Sequence, residues 1–126
     1  MPILSKQDVT PNRQGPGIEW RADLDGYTVS MVEIAADTDL TELLRGLAND
    51  QCPSPHWGVV TEGSLWFRYG DREEVVGAGE AFYASPGHTA GAKAGTAFVI
   101  FSPTEVMASV DAHMMHRARE LAGADS

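Results

Sequence analysis

The residues with the clearest potential for chemistry are one cysteine and two histidines in the middle of the chain. Cys52 and His56 lie four residues apart, and His88 follows a proline and a glycine further along. A first-row transition metal needs three or four converging nitrogen, oxygen or sulfur donors, and a thiolate with two imidazoles supplies three. Asp50 and Glu62 are weaker candidates, since Glu62 precedes a turn glycine. One divalent transition metal is therefore the only cofactor that these residues indicate.

The same residues also support interpretations without a metal. Imidazole titrates near neutral pH, so His56 and His88 are candidate catalytic residues that move protons in an isomerisation, cyclisation or dehydration. Cys52 as a nucleophile with His56 as its base is a weaker hypothesis, because a lone thiol is more often a small buried residue. A third interpretation is a binding module in which both histidines are hydrogen-bonded polar groups of a ligand pocket. The candidate ligand-binding aromatic residues are Phe67, Tyr69 and Tyr83.

Composition limits the classes of protein and partner. The chain has 126 residues, 43% of them apolar, which suits one domain with a core. Its formal net charge is -9, so nucleic acids and anionic membranes would repel it, and neither is expected as a partner. The sequence contains no apolar run of membrane-spanning length, no pattern typical of a signal peptide, and only one cysteine, which excludes an internal disulfide. We therefore expect a soluble cytoplasmic protein.

Hydrophobic periodicity predicts mostly strands, with helical segments at two points. Residues 1–17 are polar and rich in proline and glycine, and we expect an extended arm there. Strands are predicted at about 18–22 and 27–35 around an Asp-Gly turn, and leucines at helical spacing predict a short helical turn afterwards. At least six short strands separated by turn signals run from His56 to Ser102, which favours a β-sandwich or barrel. Ser102 is expected to cap a final amphipathic helix.

Alternation along the strands predicts which side chains face the interior. If His56 points inward, Val60 does too, and Trp57 points outward, because successive residues of a strand face opposite sides of the sheet. On the next strand the same rule sends Phe67 inward and Trp66 outward. Large exposed aromatic side chains usually mark an interface, so both tryptophans are expected to pack under the final helix or against a second subunit.

Two stretches carry motifs of a known family. The segment "GAGEAFYASPGH" and the glycine Gly63 resemble the second and first motifs of the cupin family, whose members are small jelly-roll β-barrels. Counting back seven residues from Gly63 reaches His56, at the position where the family usually carries a glutamate ligand. The positions of the family's paired histidines hold no histidine, and His88 follows its glycine directly instead of by three residues. The family's usual site of three histidines and one glutamate is therefore absent.

The resemblance implies an all-β, cupin-type jelly-roll β-barrel with a short helical turn before the barrel and a C-terminal α-helix. The predicted division is an N-terminal arm at 1–17, the barrel at 18–102, and the helix and tail at 103–126. Cupins of this size often form dimers that exchange amino-terminal strands, and such exchange protects sheet edges from aggregation. A homodimer is therefore expected.

The resemblance also shapes the expected function without naming a substrate. The leading hypothesis is that the barrel binds a small, partly apolar molecule in a pocket lined by His56 and His88. The alternative is a metal-dependent enzyme of the oxygenase, isomerase or cyclase type that uses both histidines with Cys52. Because a fold of this kind supports many activities, these hypotheses depend on the geometry of the site.

Overall fold

The computed structural model describes residues 2–124, which form two antiparallel β-sheets and a long carboxyl-terminal helix. In chain order the elements are β1 (Asn12–Gln14), β2 (Gly17–Leu24), β3 (Tyr27–Ile34), β4 (Thr38–Asp39), α1 (Thr41–Leu44), β5 (His56–Glu62), β6 (Ser64–Arg68), β7 (Glu73–Gly77), β8 (Ala81–Ala84), β9 (Thr89–Ala92), β10 (Thr96–Pro103) and α2 (Thr104–Ala124). One sheet has six strands in the order β1-β2-β3-β10-β5-β8, and the other has four in the order β4-β9-β6-β7. The all-β class and the six strands expected after the helical turn are confirmed.

The hairpin between β2 and β3 is the one predicted from the Asp-Gly pair. Asp25 and Gly26 both have positive φ, at 52° and 86°, as a two-residue type I′ turn requires. Leu24 pairs with Tyr27 at the turn, and the register continues without interruption along both strands. The strand ends lie within two residues of the predicted bounds.

The main core lies between the two sheets. Val60 of β5 is fully buried, and Leu65 and Phe67 of β6 face it from the other sheet. Ala84 and Ala92 complete the cluster. The inward direction predicted for Val60 and Phe67 is therefore confirmed, because each belongs to the alternating set that the opposite sheet covers.

A second core forms where helix α2 packs against α1. Leu44, Cys52 and Val110 are all buried there, so the thiol side chain belongs to an apolar cluster. The predicted amphipathic helix is present, but Ser102 does not cap it. Ser102 lies in β10, and its hydroxyl oxygen is 2.7 Å from the Nδ1 atom of His56. No helix of residues 2–124 is long and apolar enough to cross a membrane.

The amino-terminal arm folds back on its own chain. Strand β1 pairs with β2, and Leu4 is buried. The Lys6 ammonium lies 4.4 Å from the centre of the Trp20 ring and 3.7 Å from the Glu33 carboxylate. The arm thus covers one part of the six-stranded sheet. The division of the chain into arm, barrel and helix stays a prediction, as does strand exchange.

Candidate functional site

Strand β5 places His56 on the inner face of the six-stranded sheet. Its register with β8 sets His56 opposite Ala84, and its register with β10 sets Trp57, on the outer face, opposite Phe101. Gly58 follows on the inner face, where a Cβ atom would overlap the Val99 carbonyl and approach the Phe82 ring. The absence of that Cβ atom lets β5 and β10 pair closely beside His56.

Cys52 and His88 are brought together by backbone pairing outside the regular strands. The Cys52 amide donates to the His88 carbonyl at 2.8 Å, and the Gly87 amide donates to the Cys52 carbonyl at 2.8 Å. Gly87 has a φ of 90°, a conformation that a residue with a side chain rarely adopts. The Pro-Gly turn after β8 therefore delivers His88 to the segment that carries the thiol.

The side chains of Cys52, His56 and His88 converge in the interior. One donor atom from each lies within 4.8 Å of the other two, and no other such group of three occurs in the part of the chain that the structure describes. Cys52 Sγ and His56 Nε2 are 3.6 Å apart, and the centroids of the two imidazole rings are 5.1 Å apart. The three residues are only 4%, 6% and 1% exposed. The site predicted from scattered sequence positions is thus brought together in a protected interior.

Hydrogen bonds orient both imidazoles. His88 Nδ1 lies 2.7 Å from the Ser85 carbonyl oxygen, which can only accept, so Nδ1 carries the proton. In neutral His88 the lone pair is then on Nε2, which is buried and has no hydrogen-bond partner. His56 Nδ1 contacts the Ser102 hydroxyl at 2.7 Å, which leaves its Nε2 facing Cys52. An unpaired buried acceptor costs free energy, so the His88 lone pair favours a bound donor or cation.

Burial keeps the three groups uncharged. Desolvation, together with a smaller contribution from the nearby His88 imidazole, lowers the pKa of His56 to about 3. Desolvation also lowers the pKa of His88, against the opposing effect of its bond to Ser85. The pKa of the Cys52 thiol is raised by burial. At neutral pH both imidazoles are therefore in the neutral form that binds metals, while the thiol must lose its proton to become a ligand.

The cluster fits the distances of a metal site. An ion with nitrogen ligands at about 2.1 Å and sulfur at about 2.3 Å, in tetrahedral geometry, holds its donors about 3.4–3.7 Å apart. The Cys52–His56 separation of 3.6 Å already matches. All the donor atoms lie within 4.8 Å of one another, so no pair would need to contract by more than about 1.4 Å to reach that range. Asp50 and Glu62, the weaker candidates, are exposed and outside the cluster.

The predicted ligand-binding aromatic residues separate into two places. The rings of Phe67 and Tyr69 stand edge-on to His88, with centroids 5.3 Å and 6.0 Å away. Tyr83 is instead on the outer face, because β8 pairs with β5 so that Tyr83 lies opposite Trp57. Phe82 takes the inward position and contacts Phe67. The structure thus brings two of the three aromatic residues to the histidines and leaves Tyr83 outside.

Sequence reasoning missed two polar partners and a nearby cavity. Ser102 and the Ser85 carbonyl each orient one histidine, and the inward alternation along β10 was the available signal for Ser102. A surface cavity of about 290 Å³ lies on the side of Tyr69. Its lining includes Gln51 and Thr89, the sequence neighbours of Cys52 and His88.

Comparisons with known proteins identify the fold. No known family model matches the sequence, and neither does any curated protein. The solved polyketide cyclase RemF from Streptomyces resistomycificus is 21% identical, with a TM-score of 0.57 over 82% of this chain and 79% of the cyclase. KdgF from Halomonas sp. is 12% identical, with a TM-score of 0.55 over 82% of this chain and 94% of KdgF.

A named cupin is equally similar. An RmlC-like cupin from Shewanella frigidimarina NCIMB 400 is 14% identical, with a TM-score of 0.55 over 79% of this chain and 88% of that protein. The structural similarity establishes a shared fold, and sequence identities this low leave the activity open. The chain therefore has the cupin-type jelly-roll fold that its motifs predicted, with a Cys-His-His cluster in its interior.

Proposed function

We propose that this protein binds one divalent transition metal through Cys52, His56 and His88 and uses the site to act on a small, partly apolar molecule. The convergence of three buried donor atoms within 4.8 Å carries the proposal. The unpaired Nε2 of His88 supports it, because a cation would satisfy that lone pair. With Cys52, His56 and His88 as its ligands, a bound metal would have room for a water or a substrate oxygen, as catalytic zinc sites do. One thiolate with two imidazoles favours zinc or another borderline metal over magnesium or calcium.

The surroundings define what the chain itself would contribute. A bound metal would supply Lewis-acid activation of a substrate oxygen or a bound water. Ser102 and the Ser85 carbonyl would hold the two imidazoles in fixed orientations, as outer partners of metal ligands do. Phe67 beside His88 would exclude water. We propose the cavity beside Tyr69 as the approach for a small molecule, because its lining includes Gln51 and Thr89, the sequence neighbours of Cys52 and His88.

The comparisons guide the choice of reactions to assay. One protein of similar fold is a polyketide cyclase, so cyclisation of a small, partly apolar substrate is a reasonable first assay. At 21% identity this similarity supports the fold alone, so isomerisation and dioxygen-dependent reactions belong in the same panel.

Metal analysis of purified protein tests the proposal directly. We expect about one transition metal per chain and, after cobalt reconstitution, a near-ultraviolet charge-transfer band from the Cys52 thiolate. Cys52→Ser should abolish that band. Cys52→Ser and His88→Gln should each weaken metal binding by at least the roughly 10–100-fold that loss of an outer partner costs. His116→Gln is the matched control, because His116 is a 70% exposed side chain on α2, outside the cluster.

The alternative is a metal-free binding module in the same interior. The edge-on rings of Phe67 and Tyr69 around His88 favour it, since aromatic walls supply most of the contact area in small-molecule sites. In that case the folded protein would remain without metal after reconstitution, no cobalt–thiolate band would appear, and His88→Gln would weaken ligand binding alone. These outcomes would exclude the metal-dependent proposal.

A further inference from the structure

The surface cavity beside Tyr69 has a lining made entirely of polar residues. It lies at the end of the four-stranded sheet, where β6 ends at Arg68 and β9 begins at Thr89. None of the lining residues has a purely apolar side chain. We call it the rim cavity, and its lining consists of Thr41, Arg45, Asn49, Asp50, Gln51, Arg68, Tyr69 and Thr89.

The charge of this lining is opposite in sign to that of the whole chain. The chain has 18 acidic and 9 basic residues, which gives its formal net charge of -9. The rim cavity instead has two guanidinium groups, from Arg45 and Arg68, and one carboxylate, from Asp50, which leaves a formal charge of +1. The other lining side chains are hydroxyls and amides that can each donate a hydrogen bond. One anionic group would therefore find both a matching charge and donors there.

Arg68 is held in place by contacts that still leave donors available. Its guanidinium carbon lies 4.6 Å from the Trp66 ring centre, and its Nη2 atom donates to the Glu73 carboxylate at 3.0 Å. The Trp66 indole packs on Gly91, where a Cβ atom would overlap the ring, so the surface under Arg68 is itself fixed. A guanidinium has five N–H donors in a planar fork, and the bond to Glu73 uses one of them.

Arg45 lines the same cavity from the segment after α1. Its Nε and Nη2 atoms donate to Glu42 at 3.0 Å and 2.7 Å, which leaves its Nη1 donors for a ligand. The Arg45 carbonyl accepts from His113 Nε2 at 2.7 Å, so α2 fixes this wall. Glu42 and Glu73 are outside the lining, so they position the two arginines without closing the cavity. Side chains that are already positioned lose less entropy when a ligand binds.

We propose that the rim cavity binds the carboxylate of a small molecule through Arg68 and Arg45. Arginine matches a carboxylate with two parallel N–H···O bonds. A lining charge of +1 balances one carboxylate, whereas a phosphate dianion would leave a negative charge beside Asp50. The Tyr69 ring, 6.0 Å from the His88 ring, places the rest of the molecule against the wall of the interior site. As a substrate anchor the cavity rests on the proposed function, but its carboxylate binding does not, because no residue of the metal-binding cluster lines it.

An NMR titration of the full chain with benzoate tests the site, both as purified and after treatment with a chelator. Benzoate joins a carboxylate to a small apolar ring, and benzamide has the same shape without the charge. We expect benzoate to shift the backbone amide signals of Gln51 and Thr89, with a Kd on the order of 10 mM for so small a ligand. Benzamide should bind about 10-fold more weakly, because hydrogen bonds to a charged group are stronger. Added salt should weaken benzoate binding.

Substitutions of the lining locate the carboxylate. Arg68→Gln and Arg45→Gln should each weaken benzoate binding about 10-fold. Arg119→Gln is the matched control, because it removes the same charge from an exposed residue of α2 outside the cavity. Asp50→Asn should strengthen benzoate binding about 3-fold, since it raises the lining charge to +2. Asparagine can keep the bond that Asp50 accepts from the Gly46 amide at 2.9 Å, and it tolerates the φ of 57° at this position.

The outcomes separate this site from the metal site. Equal binding of benzamide and benzoate overturns the proposal, and so does equal weakening by Arg119→Gln and Arg68→Gln in variants that circular dichroism shows to be folded. Phenyl phosphate, a dianion at pH 8, should bind more weakly than benzoate, and tighter binding would contradict the choice of a carboxylate. A protein that binds benzoate but no metal contradicts the proposed metal site alone. A protein that binds metal but not benzoate contradicts the carboxylate site alone.

Discussion

Acid should destabilise the metal-free protein, because His56 is folded into the interior as a neutral imidazole. Burial lowers the pKa of this histidine to about 3, whereas an unfolded chain has the ordinary value of 6.5. The unfolded state therefore binds a proton more readily, and stability is lost as the pH falls from 6.5 toward 3. Well above pH 6.5 neither state is protonated at His56, so its contribution to stability no longer changes with pH.

The size of the effect follows from the gap between the pH and the unfolded pKa. At pH 5 the imidazole is protonated in the unfolded chain and neutral in the folded one. The distance from the unfolded pKa of 6.5 down to pH 5 is about 1.5 pH units. Each pH unit contributes about 1.4 kcal/mol, so His56 should remove about 2 kcal/mol of unfolding free energy between pH 7 and pH 5. His88 acts in the same direction, since burial lowers its pKa too.

Urea unfolding in the presence of a chelator measures this loss. The comparison is between wild type and His56→Gln at pH 7 and pH 5, because the carboxylates titrate in both proteins and cancel. Wild type should lose about 2 kcal/mol more than the variant. His116→Gln, at an exposed position, should behave like wild type. Equal losses in wild type and His56→Gln would refute the argument. An NMR titration that shows His56 protonated at pH 5 in the folded protein would refute it independently.

Three further substitutions, one of them with a matched control, test the packing of the fold. Ser102→Ala removes the hydroxyl 2.7 Å from His56 Nδ1 and should cost about 1–3 kcal/mol in chemical unfolding of the metal-free protein, with a loss near zero arguing against that bond. Gly91→Ala would drive a Cβ atom into an indole ring and should cost about 1–3 kcal/mol, whereas Gly70→Ala, with open space around it, should stay within about 0.5 kcal/mol. Leu44→Ala empties a position that is 2% exposed under α2 and should cost about 2–5 kcal/mol by thermal unfolding; a smaller loss would mean that α2 packs loosely.

The order of strands and turns was largely predictable because its causes are local. The Asp-Gly turn requires positive φ, and alternation in β5 assigns Val60 to the core and Trp57 to the surface. Prediction was weaker in β8, a four-residue strand with Phe82 and Tyr83 side by side. Either aromatic residue can be the inward one in so short a strand. Pairing with β5 decides, by setting Tyr83 opposite Trp57.

The sequence by itself determined the residue types of the site, the strand that carries His56, and the absence of the usual cupin ligands. Only the tertiary structure decided that the donors meet. Cys52 and His88 lie outside the regular strands, and their backbone pairing joins segments distant in sequence. Burial then sets their chemistry, because desolvation depends on the whole fold and keeps both imidazoles neutral. No local pattern contains that information.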